Sequence, residues 1–205
     1  MIFIKKLLKK IYAFINLYRG FFAAILYLKH RKVLNKDVER YLPFTPYKKV
    51  SFMSFYYTLI VLKQFRSVFY MRASKDVILS ALSKVFIKPL DSIEIISKKI
   101  GPGLLIFHKF GSVIFPCSAG ENLTIAQGVT IGSGHKDAGG NRNPIIGNNV
   151  WIAANAVVFG PITIGNDVTI GAGCVLSKSV PDNCTVAGNP ARIIKKDGIK
   201  CDIPL

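Results

Sequence analysis

Residues 145–180 read IIGNNVWIAANAVVFGPITIGNDVTIGAGCVLSKSV, and this stretch repeats with a period of six. Ile146, Ile152, Val158, Ile164, Ile170 and Leu176 recur at every sixth position, and Val150, Ala156, Ile162, Val168, Cys174 and Val180 follow them by four. A small residue usually stands one place after the first member (Gly147, Ala153, Gly165, Gly171, Ser177), Phe159 being the exception. Each unit therefore turns two side chains inward and keeps its corner free of bulk. A hexapeptide cannot bury its apolar face alone, so the units must stack as a solenoid in which each coil covers the next.

Upstream, the same phase occurs at Val113, Ala119, Ile125 and Ile131, and more loosely at Ile100 and Ile106. Residues 132–144 interrupt it and must loop out. The expected core is a narrow prism of stacked aliphatics starting soon after Pro89.

The rest of the chain has a different character. Of 205 residues 50% are hydrophobic, which excludes a disordered polymer, and the formal net charge is +17. Residues 1–50 hold 12 basic and 2 acidic side chains, so the excess is concentrated at the N-terminus. Such a balance points to an anionic partner: an acidic lipid surface, a phosphorylated co-substrate, an acidic polymer or nucleic acid. No base-reading or stacking motif supports the last. Cys117, Cys174, Cys184 and Cys201 show no CxxC pairing and no histidine at metal spacing, so neither a metal site nor a disulfide framework is indicated, and a reducing cytosol fits.

At about 100° per residue, residues 1–22 place Phe3, Ile4, Leu7, Leu8, Ile11, Phe14, Ile15, Tyr18, Phe21 and Phe22 on one helical face. Lys5, Lys6, Lys9, Lys10, Asn16 and Arg19 occupy the other. This is the pattern of a helix lying in a membrane interface, although packing on the protein's own body or on a sister subunit has the same signature. Arg19 interrupts the apolar core that a secretory signal needs, and no small-residue cleavage site follows. His30, in the basic run 29–32, reads as a solvated or headgroup-level side chain. Helical spacing recurs over 51–62, 65–71 and 77–86, and Pro89 closes the region. The expected organisation is a membrane-associating helical segment (1–35), a helical domain (36–92) and the solenoid with its tail (93–205).

The runs IGPGLLIFHKFGSVIFP (100–116), ENLTIAQGVTIG (121–132) and IIGNNV…GNPARII (145–194) resemble the hexapeptide-repeat acyltransferases, in the serine acetyltransferase-like branch that includes O-acetyltransferases of bacterial surface polysaccharides. The resemblance implies a left-handed parallel β-helix behind an α-helical N-terminal region, a homotrimer with active sites between subunits, and acetyl-CoA as co-substrate. Left-handed winding contravenes the usual crossover rule and rests on the resemblance alone.

Acyl transfer to a hydroxyl needs a base for the hydroxyl proton and donors for the developing oxyanion. By the resemblance His108 is that base, an imidazole able to exchange protons near neutral pH. Glu94 is the candidate to orient it, with ion pairing to Lys98 or Lys99 as its ordinary alternative. Trp151, Ala153, Gly171 and Ala172 would border the pantetheine arm, and Lys178, Arg192, Lys195 and Lys196 its phosphates. Gln127, His135 and Asn143 are candidate acceptor-binding residues. In true serine acetyltransferases an acidic residue precedes the catalytic histidine and a second histidine stands in a DRHP context; here these are Phe107 and Asn143. The expectation is therefore transfer to a hydroxyl of a bacterial surface polysaccharide or its precursor, at the inner face of the cytoplasmic membrane. Serine O-acetylation is the alternative, and a scaffold without catalysis or a nucleic-acid-binding module are the non-enzymatic ones.

Overall fold

A computed structural model describes residues 2–97 and 99–205, side chains at positions 2, 3, 5 and 6 excepted. The side chains of Phe3, Lys5 and Lys6, and Lys98 altogether, lie outside the described residues. The chain divides into two compact units, residues 1–91 and 92–205.

The first unit is helical: α1 (Ile2–Ile15), α2 (Phe21–Lys29), α3 (Arg31–Tyr41), α4 (Phe52–Val61), α5 (Phe65–Arg72) and α6 (Val77–Phe86). The expected helix over residues 1–22 is broken after Ile15. Asn16 leaves helical geometry, its side-chain amide donates back to the Tyr12 carbonyl at 2.8 Å, and a 3-10 turn (Leu17–Gly20) follows. Serine chemistry sets the start of α4: Ser51 Oγ accepts from the Ser54 backbone at 3.1 Å while Ser54 Oγ accepts from the Ser51 backbone at 2.8 Å, a reciprocal cap. Tyr41, Phe55, Tyr56, Phe65 and Phe69 are fully buried, with Tyr27 stacked on Phe55 at 4.2 Å and Tyr41 edge-on to Phe65 at 5.1 Å. Helix α3, whose sparse apolar residues gave no sequence signal, is tied in by Asp37. His30 is not simply solvated: its Nε2 lies 2.6 Å from Asp76 Oδ2, and Lys29 bonds the other oxygen of that carboxylate.

The second unit is a parallel β-helix whose chain visits three sheets in rotation, the second face being completed at its two ends by the isolated bridges Ile100–Ala119 and Ile164–Val180. The first face holds Ile93–Ile95, Ser112–Ile114, Thr130–Gly132, Val157–Phe159 and Val175–Leu176; the second Ser118–Ala119, Ile145–Ile146 and Thr163–Ile164; the third Leu105–Ile106, Thr124–Ile125, Trp151–Ile152, Thr169–Ile170 and Cys184–Ala187. Equivalent aliphatics stack in register: Ile114, Ile131, Val158, Leu176 on one face and Ile106, Ile125, Ile152, Ile170, Val186 on another. All are buried, each contributing roughly 1.5–3 kcal/mol of transfer free energy. At the turns between the second and third faces, Asn122, Asn149 and Asp167 adopt left-handed backbone, and their side chains form a ladder, Asn122 Nδ2 to Asn149 Oδ1 and Asn149 Nδ2 to Asp167 Oδ1, each 3.0 Å. Antiparallel strands Arg192–Lys196 and Ile199–Pro204 extend the third face at its end.

One expected inward position is corrected. Val113 is exposed and Ile114 takes its place in the core. Ile106 to Ile114 is eight steps rather than six, because the intervening corner is longer than the others.

Candidate active site

That enlarged corner, residues 107–111, carries His108. Its feet are tied by backbone bonds: Phe107 N donates to Ile125 O at 2.7 Å, Gly128 N to Phe110 O at 3.1 Å and Ser112 N to Ser92 O at 3.0 Å. Ser92 Oγ adds a bond to the Lys109 carbonyl at 2.7 Å. His108 itself is exposed, with φ +61°. Among the described residues the other non-glycine positions with positive φ are all Asn or Asp, residue types suited to that conformation. A histidine held there costs on the order of 1 kcal/mol or more, and such strain concentrates at functional positions.

The same edge of the prism continues downward through the corners of later coils. Asn155 N bonds the Gln127 carbonyl at 2.9 Å and Gly173 N the Ala154 carbonyl at 2.9 Å. His108, Gln127, Ala153, Gly171 and Ala172 thus share one edge. A Cβ built on Gly173 meets nothing within 4 Å, so the corner is open at that coil. Trp151 stands beside it on the outer side of the third face, half exposed, in register with Thr124 and Thr169.

Other candidates lie elsewhere in the chain. Glu94 sits mid-strand on the first face opposite Val113, exposed, and among the described residues no hydrogen bond joins it to His108. The orienting contact that sequence reasoning missed is Ser92, which acts on the His108 corner through Lys109; nothing in its local sequence marks it. The excursion 133–144 leaves from the edge between the first and second faces. Its base is closed by Asn143, whose amide donates to the Phe115 carbonyl at 2.6 Å and whose Oδ1 accepts from Ser133 at 3.2 Å. His135 is exposed on that excursion. Within one chain, His135 and Asn143 are therefore on a different edge from His108.

Lys178 borders a cavity of about 150 Å³ with Val175, Ser177, Asn189, Pro190, Ala191 and Leu205. Arg192 is engaged in an ion pair with Asp202, whose carboxyl it holds below its ordinary pKa. Lys195 and Lys196 are exposed at the end of that strand. Burial raises the Cys174 thiol, so this cysteine is an inert core side chain. Among the described residues no group of three or more His, Cys, Asp or Glu is placed to hold a metal ion.

Residues 143–178 match the family model for the bacterial transferase hexapeptide (six repeats). A serine acetyltransferase of Staphylococcus aureus (strain Mu50 / ATCC 700699) is 50% identical over 103 residues, half of this chain and 48% of the relative; the chain thus spans about half the length of the curated relatives it matches. Among solved structures, the serine acetyltransferase of Neisseria gonorrhoeae superposes with TM-score 0.64 at 28% identity, covering 84% of this chain and 68% of that one. That of Brucella abortus strain S19, in complex with coenzyme A, gives 0.58 at 30% identity over 83% and 69%.

These findings overturn the polysaccharide acceptor. The relatives are serine acetyltransferases. Asn143 closes the base of the excursion and Phe107 continues the third face through its bond to Ile125.

Proposed function

The chain belongs to the hexapeptide-repeat acyltransferases, and on that footing we propose that it transfers the acetyl group of acetyl-CoA to the hydroxyl of L-serine. His108 accepts the hydroxyl proton as the serine oxygen attacks the thioester carbonyl. The C–O bond forms, the C–S bond breaks, and the proton passes to the departing sulfur, leaving O-acetylserine and CoA. The observation that carries this reading is the exposed His108, held in left-handed backbone on a corner two residues longer than the regular six-residue step.

The small corners Ala153, Gly171 and Ala172 admit the pantetheine arm, with Trp151 packed against it. Lys178 and Lys195 meet the phosphates, and Arg192 joins them only by loosening its bond to Asp202. Gln127, on the His108 edge, faces the acceptor. The coils wind left-handed and three chains assemble, so that a neighbour's excursion brings His135 and Asn143 to the His108 edge. The separation of these residues within one chain supports that arrangement.

The test is the purified full-length chain with acetyl-CoA and L-serine, reading CoA thiol release and O-acetylserine by mass spectrometry. L-Alanine, which lacks the hydroxyl, is the blank. Acetylserine formation that requires His108 is the expected result; its absence at saturating serine overturns the assignment.

A further inference from the structure

The N-terminal stretch, α1 and the 3-10 turn after it, meets its unit with its small residues. Ala13 is 2% exposed, the Tyr56 hydroxyl donates to the Asn16 carbonyl, and a Cβ added at Gly20 would lie 2.1 Å from the Tyr56 ring. The large apolar side chains are on the other side: Leu7, Ile11, Phe14, Ile15, Tyr18 and Phe21 are between 45% and 75% exposed. A helix that packs only on its own protein does the reverse and buries its widest apolar stripe.

The strip continues onto a second helix. Phe21 meets Phe22 edge-on at 5.4 Å, Phe22 stacks on Phe86 at 6.2 Å, and Arg19 donates to the Phe86 carbonyl. Helix α6, which ends at Phe86, leaves Val85 70% and Phe86 40% exposed at that end. Contiguous apolar patches of this kind are rare on monomers and mark interaction surfaces.

Charge identifies the occupant. Lys9 and Lys10 are exposed on α1, and Arg31 and Lys32 on the first turn of α3. Of the two acidic side chains in residues 1–50, Asp37 is buried and taken up by Arg72, leaving Glu39 alone against a dozen cations. A second copy laid symmetrically on the strip would bring two such basic fringes together. An anionic lipid surface satisfies the apolar strip and the fringe at once.

We propose that α1, with the adjoining end of α6, docks on an anionic phospholipid bilayer, its apolar side among the acyl chains and its lysines at the phosphates. Because Ala13 on α1 and Asn16 and Gly20 after it face the protein, the stretch lies along the surface. This inference does not rest on the acetyl-transfer reading.

The experiment is flotation of the full-length chain with vesicles of phosphatidylcholine containing about one-third phosphatidylglycerol, against phosphatidylcholine alone. The chain floats with the anionic vesicles, less so at high salt, and stays behind with the neutral ones. Ile11→Glu with Ile15→Glu, and separately Lys9→Glu with Lys10→Glu, each weaken flotation about tenfold or more. Sedimentation velocity finds the assembly mass unchanged in both. A wild-type chain that ignores anionic vesicles overturns the proposal, and so does a loss of assembly mass in the Ile11 and Ile15 variant, which would assign the strip to a second copy. Serine acetylation by the same variants is unaltered, since none of these residues is on the His108 edge.

Discussion

Ser92 Oγ donates to the carbonyl of Lys109 at 2.7 Å, one residue beyond His108. The bond ties the enlarged corner to the coil start and holds the imidazole's backbone in place. Ser92→Ala should lower kcat for serine acetylation several-fold with little change in KM for acetyl-CoA, and Ser92→Thr should restore it. Steady-state kinetics of the pair check this; a parallel fall in melting temperature without a kcat effect would reduce Ser92 to a structural bond.

His108→Ala should cost about 10²–10⁴-fold in kcat/KM. His108→Asn is the sharper variant, because asparagine suits the left-handed backbone at φ +61°. Its melting temperature should equal or exceed that of the wild type while activity is lost, as read by thermal melting and CoA release.

Phe107→Asp combined with Asn143→His supplies the residue types that the resemblance to serine acetyltransferases implies at these positions. The double variant should lower KM for serine about tenfold, worth roughly 1.4 kcal/mol of acceptor binding, with a smaller change in kcat. An unchanged KM would show that acceptor contacts here come from other residues.

Asp37 and Arg72 form a bidentate pair, Nε to Oδ2 at 2.8 Å and Nη2 to Oδ1 at 2.9 Å, with the carboxylate fully buried. Removing one partner leaves a buried charge. Asp37→Ala should destabilise the helical unit by about 3–5 kcal/mol, measured by urea unfolding.

Hydrogen bonds from Lys29 and His30 hold the Asp76 carboxyl below its ordinary pKa. Its stabilising contribution is therefore complete above the unfolded carboxylate pKa, about 3.9, and is lost as pH falls through the lower folded value. Melting temperature followed from pH 6 down to about pH 2.5 should show an acid-side fall that Asp76→Asn flattens. Equal slopes for the two proteins would remove Asp76 from the acid transition.

The hexad ladder was legible because each inward residue is satisfied by its equivalent one coil away, so a local rhythm encodes the contact directly. Val113 was misread for the same reason: a periodic rule cannot register a corner two residues longer than its neighbours. His108 was visible as a residue type in a family motif, but its left-handed backbone and the Ser92 bond were not, because both arise from contacts between coils. The acceptor was not legible from Phe107 and Asn143, since residue identity at two positions does not specify which hydroxyl a site assembled from contacts between coils accepts.

Residue order alone was enough to specify stacked coils, the excursion at 132–144 and an amphipathic N-terminus, all of them properties of neighbouring residues along the chain. It could not say which side of the N-terminal stretch the protein covers. That depended on Tyr56, 40 residues from Asn16, whose ring closes over Gly20 and whose hydroxyl bonds the Asn16 carbonyl. Amphipathicity ranks the faces of a helix by polarity, whereas packing selects the face whose shape fits, and here the fit goes to the small side chains.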